Sequence, residues 1–354
     1  GWNLTGAGGN KFCWITWPQQ LTAAKERGLK VVAIDPRLRG AGPFADEWVP
    51  IRPGTDLALA LGLCSVLLQR GTIDRDYLRD HTNAPFLVRP DGTFLRAGGK
   101  EQVWDPATGT AVAYDSAGVK PALDGQYLVA GETVKTAFQL FAAHVATYSP
   151  ERVAEICGVD AEDIRRVGRD LGENAAIGST IVVDGVKLPY RPVSVMAYHM
   201  SQQELGFQAL RAMIMVFMLL GAMEAVGGVR IDSTWKVHAN FKALDEAKVK
   251  APPYNAYLKD SKFFPINSAS PSILAKTMLD PQKYGVDYVP EVLILHMANP
   301  VLSFGSQRLI RDSYPKFKFV AAIDPWLSET ADLFADIVLP AATLEKYEGP
   351  VSAG

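Results

Sequence analysis

Two stretches of this chain echo one another. Val31-Val-Ala-Ile-Asp35-Pro36 is followed by Ala45-Asp46 and then Pro50, and Val320-Ala-Ala-Ile-Asp324-Pro325 is followed by Ala335-Asp336 and then Pro340. The two aspartates are 11 residues apart in the first copy and 12 in the second. Each copy is an apolar run that delivers an Asp-Pro at its carboxyl end. Such a run suits a strand buried in a parallel sheet. Proline then ends the strand, because it has no N–H for the ladder and holds φ fixed. Open α/β sheets bind ligands beyond the carboxyl ends of their strands. A carboxylate placed there can accept hydrogen bonds from a base or a ribose. Two such sites suggest two similar ligands, or one ligand with two similar halves.

The surrounding pattern alternates helix and strand. Gln20 to Arg27 predicts a helix that stops at Gly28, and Lys30 to Ile34 predicts a buried strand. Pro53-Gly54-Thr55-Asp56 leads into an apolar helix over Leu57 to Gln69, with Thr55 or Asp56 as its N-cap. Residues 86–135 are more polar, and the turn signals Arg89-Pro-Asp-Gly92 and Pro106-Ala-Thr-Gly109 predict a β-rich insertion. Ser149-Pro150-Glu151 reads as an N-cap with proline at the first helical position, and Ala161 to Val167 continues in helix. Thr180 to Val183 predicts a second buried strand. Ala212 to Met223 predicts a core helix ending at Gly227-Gly228. Further strands are expected at Val292–Leu295, Phe317–Ile323 and Ile337–Leu339. The expected fold is α/β, two Rossmann-like doubly wound lobes over 1–230 and 231–354, with the insertion in the first.

Charge and cysteine usage narrow the function classes. Lys plus Arg number 36 and Asp plus Glu 38, a net charge of −2. Nothing in that balance marks a nucleic-acid partner. Cys13, Cys64 and Cys157 are widely spaced, with no Cys-x-x-Cys pair, so a self-contained zinc or iron–sulfur site is not expected and buried thiols are. The apolar stretch Ala212–Met223 makes roughly 18 Å of helix, too short for a bilayer core of ~30 Å.

Several further motifs follow in order: Gly1-Trp2-Asn3; Ile34-Asp35-Pro36-Arg37; Ala45-Asp46 with Arg52-Pro53-Gly54-Thr55-Asp56; Tyr198-His199-Met200-Ser201-Gln202 before the apolar helix; His296-Met-Ala-Asn299-Pro300; Ile323-Asp324; and Ala335-Asp336 through Pro340 to Glu345. Together they resemble the DMSO reductase (molybdopterin oxidoreductase) family over nearly the whole chain outside the insertion. The resemblance implies a molybdenum bis(molybdopterin guanine dinucleotide) cofactor, with tungsten as the alternative metal. Gly1, Trp2 and Asn3 would meet the pterin–nucleotide. Asp35, Pro36 and Arg37 would hold one guanosine, with Gly54, Thr55 and Asp56 completing that site and Asp56 taking the guanine edge. Tyr198 and Gln202 would line the pterin beside His199, the one candidate catalytic residue, suited to proton handling by its ordinary pKa near ~6.5. Asn299, Ile323 and Asp324 would hold the second nucleotide.

Other implications concern what lies outside this sequence. The chain opens on Gly-Trp-Asn and closes on Val-Ser-Ala-Gly, and it is expected to be an internal piece of a catalytic subunit, inactive alone. The metal ligand and a [4Fe-4S] cluster would lie upstream, so no metal ligand is assigned within the chain. The resemblance also implies a small-molecule substrate, a membrane anchor and an iron–sulfur electron-transfer subunit, in a periplasmic or membrane-associated setting, with the cytoplasm as the alternative. The branch most resembled is that of polysulfide, thiosulfate and tetrathionate reductases, or that of phenylacetyl-CoA oxidoreductases. Leu4 departs from the family, which has proline there, and is followed by a glycine-rich loop, Thr5 to Asn10, able to cradle phosphate through its N–H groups.

Two other readings compete. One is a non-catalytic relative such as the large iron–sulfur subunit of NADH dehydrogenase; the retained Asp35, Asp56 and Asp324 count against it. The other is an ordinary dinucleotide-binding dehydrogenase. That needs Gly-x-Gly-x-x-Gly after the first strand, where this chain has Asp-Pro-Arg-Leu-Arg-Gly.

Overall fold

The computed structural model describes residues 13–38, 40–195, 200, 203–230, 263, 271–286, 289–304 and 306–341. The chain divides into two compact units, Gly1–Ser233 and Thr234–Gly354.

The first unit is built around one helix. α1 (Cys13–Glu26) leads to β1 (Val32–Ile34), which pairs in parallel with β2 (Glu47–Val49). α2 (Asp56–Arg70) follows, and its residues Ala58 through Leu67 are all buried. A helix that is apolar all round belongs in a core, and each fully buried leucine contributes about 1.5–3 kcal/mol. Gly71 ends α2 in the left-handed conformation, returning its N–H to the Leu67 and Leu68 carbonyls. Around α2 pack α4 (Ala137–Val145), α5 (Pro150–Cys157), α6 (Ala161–Asn174) and α7 (Gly206–Leu219). α6 comes close because residue 168 is glycine: a Cβ there would stand 2.6 Å from Val66 Cγ1. The cap expected at Ser149 is present, and Asp160 adds another. Ser149 accepts from the Arg152 N–H with Pro150 at the helix start, and Asp160 accepts from the Glu162 N–H.

A buried ion pair ties this unit together. Asp74 caps α3 (Arg75–His81) by accepting the Tyr77 N–H at 3.0 Å. Its other oxygen receives Arg191 Nη2 at 2.6 Å, the two side chains being 10% and 7% exposed. Arg191 also donates to the carbonyls of Leu220, Ser179 and Tyr190. A charge this buried is tolerated because each guanidinium nitrogen has an acceptor.

The insertion is β-rich as expected. β3 (Leu87–Val88), β8 (Glu132–Thr136) and β7 (Gln126–Val129) form one antiparallel sheet, and β4 (Arg96–Ala97), β5 (Lys100–Asp105) and β6 (Thr110–Ala113) form another. Trp104 stacks on Tyr127 with ring centroids 4.2 Å apart.

Two expectations need correction. Thr180–Val183 (β9) is a strand, but all four residues are exposed, Val182 by 66%. Asp184 and Gly185, both at positive φ, turn it back antiparallel onto β10 (Val186–Pro189), making a two-stranded hairpin rather than a core strand. The apolar core helix ends at Leu219, with Gly221 at φ +64, well before Gly227-Gly228. The α/β class holds, and among the described residues the parallel sheet of the first unit has two strands.

In the second unit β11 (Val292–His296), β12 (Phe319–Asp324) and β13 (Ile337–Pro340) lie side by side in parallel, in that order. α8 (Pro271–Leu279), α9 (Pro300–Ser303), α10 (Gln307–Ser313) and α11 (Glu329–Phe334) accompany them. Leu295, Val320 and Ala322 turn into a core with Ala275, Met278, Ile310, Tyr314 and Phe317. Among the described residues no single helix is long and apolar enough to cross a membrane.

Candidate functional site

The sequence echo is a repeated hydrogen-bond pattern. At the carboxyl end of β1, Asp35 Oδ1 accepts the Arg37 N–H at 2.9 Å, closing a turn around Pro36. At the end of β12, Asp324 Oδ1 accepts the Trp326 N–H at 3.0 Å around Pro325. The second aspartate of each copy works at the opposite end. Asp46 accepts the Val31 N–H at 2.7 Å through Oδ2 and donates its own N–H to the Val31 carbonyl at 2.9 Å. Asp336 does the same to Val320, both distances being 2.8 Å. One aspartate therefore shapes the loop beyond each strand while the other anchors the strand's beginning. Lys25 holds the Asp46 carboxyl below the usual carboxylate range, helped by the Val31 N–H.

The edge of the first unit combines two loops. Asp35 donates its N–H to the Val49 carbonyl, and its own carbonyl receives Trp48 Nε1 at 2.8 Å, which fixes a half-exposed indole beside the Asp-Pro turn. The Arg37 side chain is exposed. In the second loop, the Arg52 N–H donates to the Cys157 carbonyl at 2.7 Å and its guanidinium donates to the Ile156 carbonyl, a cation at the carboxyl terminus of α5. Gly54 turns the chain at φ +81. Thr55 occupies the cap position of α2, but its hydroxyl donates back to the Arg52 carbonyl at 2.7 Å, so neither Thr55 nor Asp56 caps the helix through its side chain. Asp56 instead receives Gln203 Nε2 on Oδ2 at 2.8 Å, and the same amide nitrogen donates to the Met200 carbonyl at 2.9 Å.

The edge of the second unit is organised by Asn299. Its Oδ1 accepts from the Thr330 hydroxyl at 2.7 Å and the Thr330 N–H at 3.3 Å, and its Nδ2 donates to Glu329. The buried Thr330 hydroxyl in turn accepts the Val301 N–H at 2.9 Å. Asn299 thus staples the loop after β11 to the start of α11. Ile323 enters through its backbone, its carbonyl accepting the Met297 N–H at 3.0 Å. Trp326 is 76% exposed just past the Asp-Pro turn.

The structure therefore brings Asp35, Pro36 and Arg37 to one carboxyl edge, sets Gly54, Thr55 and Asp56 at the start of α2, and gathers Asn299, Ile323 and Asp324 at the edge of the second sheet. Gly1, Trp2, Asn3, Tyr198, His199 and Gln202 lie outside the described residues, as do the glycine-rich loop and Glu345. Sequence reasoning missed Gln203, whose only signal was being the second of two adjacent glutamines. It missed Trp48 too, which is tied to Asp35 only through the pairing of β1 with β2. Cys64 and Cys157 are buried free thiols; burial pushes Cys64 up to about 12 and also raises Cys157, so neither is a ready nucleophile.

A carboxylate closes the turn at each edge, and an indole stands exposed beside each turn. Among the described residues no cluster of three or more His, Cys, Asp or Glu is placed to hold a metal ion.

Comparison with known proteins identifies the family. The molybdopterin oxidoreductase family model matches residues 16–349. The chain is 31% identical over 237 residues to a sulfite dehydrogenase subunit of Allochromatium vinosum, covering 58% of this chain and 24% of that protein. It is 31% identical over 243 residues to the alpha subunit of chlorate reductase from Ideonella dechloratans, covering 62% and 25%. Formate dehydrogenase-O major subunit of Escherichia coli is 24% identical over 89% of this chain and 34% of its own length. The chain thus spans roughly a quarter to a third of these relatives. Among solved structures, acetylene hydratase from Pelobacter acetylenicus shares the fold with a TM-score of 0.56 at 19% identity, over 92% of this chain and 38% of that one. A match running over nearly the whole chain, on a framework whose two carboxyl edges repeat the same aspartate turns, establishes that this chain belongs to the molybdopterin oxidoreductase family.

Proposed function

We propose that this chain is the nucleotide-holding part of the catalytic subunit of a molybdenum or tungsten oxidoreductase. Its two carboxyl edges hold the two guanine nucleotides of a bis-pterin cofactor. The observation that carries this is the repeated Asp-Pro turn, one copy in each unit, each with its anchoring second aspartate. Two like sites suit a cofactor with two like halves. When bound, the cofactor supplies two-electron redox chemistry at its metal, and the protein supplies binding and orientation.

The chain's own residues then have definable tasks. Asp35 and Asp324 hold ribose or base donors next to turns already closed by their other hydrogen bonds. Asp56 accepts the guanine edge of the first nucleotide. Arg37 offers a fork of donors to phosphate. Asn299 keeps the second edge in shape. Gly1, Trp2, Asn3, Tyr198 and Gln202 contact the pterin, and His199 handles protons near the metal. The metal ligand and a [4Fe-4S] cluster come from other parts of a longer protein. Relatives named as the alpha or the major subunit of their enzymes support assembly with other subunits; the partners proposed are an iron–sulfur electron-transfer subunit and a membrane anchor, in a periplasmic or membrane-associated complex. The names of the relatives concern sulfite, chlorate and formate, so the substrate is assigned only as a small molecule.

The test uses the full-length protein purified without oxygen. Elemental analysis and acid release should give about one molybdenum or tungsten and two GMP per chain, the stoichiometry of a bis-pterin dinucleotide site. A protein with neither metal nor GMP would be a structural relative, and this reading would be wrong.

A further inference from the structure

We propose that Gln203 is a specificity-determining residue of the first nucleotide site, reading the 2-amino group of a guanine beside Asp56. The proposal rests on the nucleotide-binding reading above and extends it to a residue that reading does not use.

The argument starts from the amide. Gln203 Nε2 faces Asp56 Oδ2 at 2.8 Å and the Met200 carbonyl at 2.9 Å. Both neighbours only accept, so the amide must present its nitrogen to them, and both of its N–H bonds are used. What the side chain has left is its carbonyl oxygen. That oxygen lies over the loop before α2, 3.6 Å from where a Cβ on Gly54 would stand. Asp56 Oδ1 has no hydrogen-bond partner among the described residues. Gln203 and Asp56, locked to each other, therefore present acceptors alone.

That set discriminates among purines. Guanine offers three donors on its base-pairing edge, one at N1 and two at the 2-amino group. Asp56 can take N1–H while Gln203 Oε1 takes one 2-amino hydrogen. Hypoxanthine has the N1 donor and lacks the amino group. Adenine presents its N1 acceptor to the acceptors and is repelled. The glutamine also joins the chain at residue 200 to the loop at 52–56, so one side chain links the segment expected beside the pterin to the one expected at the base.

The experiment measures thermal protection of the cofactor-free full-length protein by GMP, IMP and AMP, alongside GMP released by acid from the cofactor-loaded protein. Expected for the native sequence is GMP binding roughly tenfold tighter than IMP, the worth of one hydrogen bond to a fixed acceptor, with no protection by AMP. Gln203→Met keeps the length of the side chain and removes its acceptor, and should bring the GMP-to-IMP ratio close to one. Gln203→Glu sets a second carboxylate against Asp56 and should lose GMP protection altogether. Should Gln203→Met fail to fold, Gln203→Leu tests the same ratio, and equal protection of the native protein by GMP and IMP overturns the role without any variant. Equal protection by GMP and IMP, no protection by GMP in a protein whose loaded form releases it, or an unchanged ratio in a folded Gln203→Met protein each overturns the role of Gln203 and leaves the nucleotide reading standing. Absence of GMP from the loaded protein removes that reading itself.

Discussion

The two strand–Asp–Pro copies make the same hydrogen bonds on very different foundations. In the first unit, Val49 and Ala33 are buried, and the start of β1 is further held by Lys25 bridging to Asp46 and to the Phe44 carbonyl. In the second, one face of the sheet packs on its helices while Val292, Ile294, Ile337 and Leu339 on the other face stay open among the described residues, Ile294 by 65%. Asp35 and Asp324 nevertheless close their turns at nearly the same distance, and Asp46 and Asp336 anchor their strands alike. The local motif is thus autonomous. It needs an aspartate, a proline and a parallel neighbour, and it does not need a sheet covered on both faces. The first unit adds Gln203 and the Asp74–Arg191 pair, both drawn from elements far away in sequence.

The largest test of that difference is Arg191→Met. It leaves Asp74 buried without its partner and should destabilise the first unit by about 3–5 kcal/mol. Hydrogen exchange read peptide by peptide should show α2 and α7 opening faster while β12 is unmoved. Equal acceleration in β12 would mean that the two foundations are one. Next is Thr330→Val in the second unit. The fully buried hydroxyl serves both Asn299 and the Val301 N–H, so its loss should cost about 1–3 kcal/mol and loosen the loop after β11. Retained protection at Val301 would show that Asn299 is held by other means.

The smallest effects compare the anchors themselves. Asp46→Ala and Asp336→Ala each free one N–H at the start of a strand, that of Val31 or of Val320. Both sites are exposed, so each should lower the melting midpoint by no more than a few degrees, with Asp46 the larger because it also releases Lys25. The comparison extends to acid. The folded carboxyl of Asp46 is held below its unfolded value, so its contribution is complete above about pH 4 and fades as pH falls through the lower folded value. A carbon-detected titration of the Asp46 carboxyl should have its midpoint below ~3.9. A midpoint at or above that value would falsify the bridge to Lys25.

Much of this was legible in the sequence because it is local. The spacing of Asp35 to Asp46 and of Asp324 to Asp336, with Pro36 and Pro325 fixing the loops, announces the repeated turns. Ser149-Pro150 announces a helix start. Family motifs in fixed order named the remaining candidates, of which those at 1–3, 198–199 and 202 lie outside the described residues. The hairpin at Thr180–Pro189 was misread because a β-branched run looks the same whether covered or open, and only Asp184-Gly185 hints at the turn. Thr55 looked like a cap because of its residue type, yet its hydroxyl found the Arg52 carbonyl instead.

The sequence by itself determined the α/β class, the family, and the two places where a carboxylate would stand at the end of a strand, since these follow from periodicity and short-range hydrogen bonding. Tertiary structure alone decided that Gln203 meets Asp56, that Trp48 leans on Asp35, and that Arg191 closes over Asp74. Those partners are 147, 13 and 117 residues apart. No local pattern encodes such pairings, because they are fixed only when helices and strands pack around a shared core.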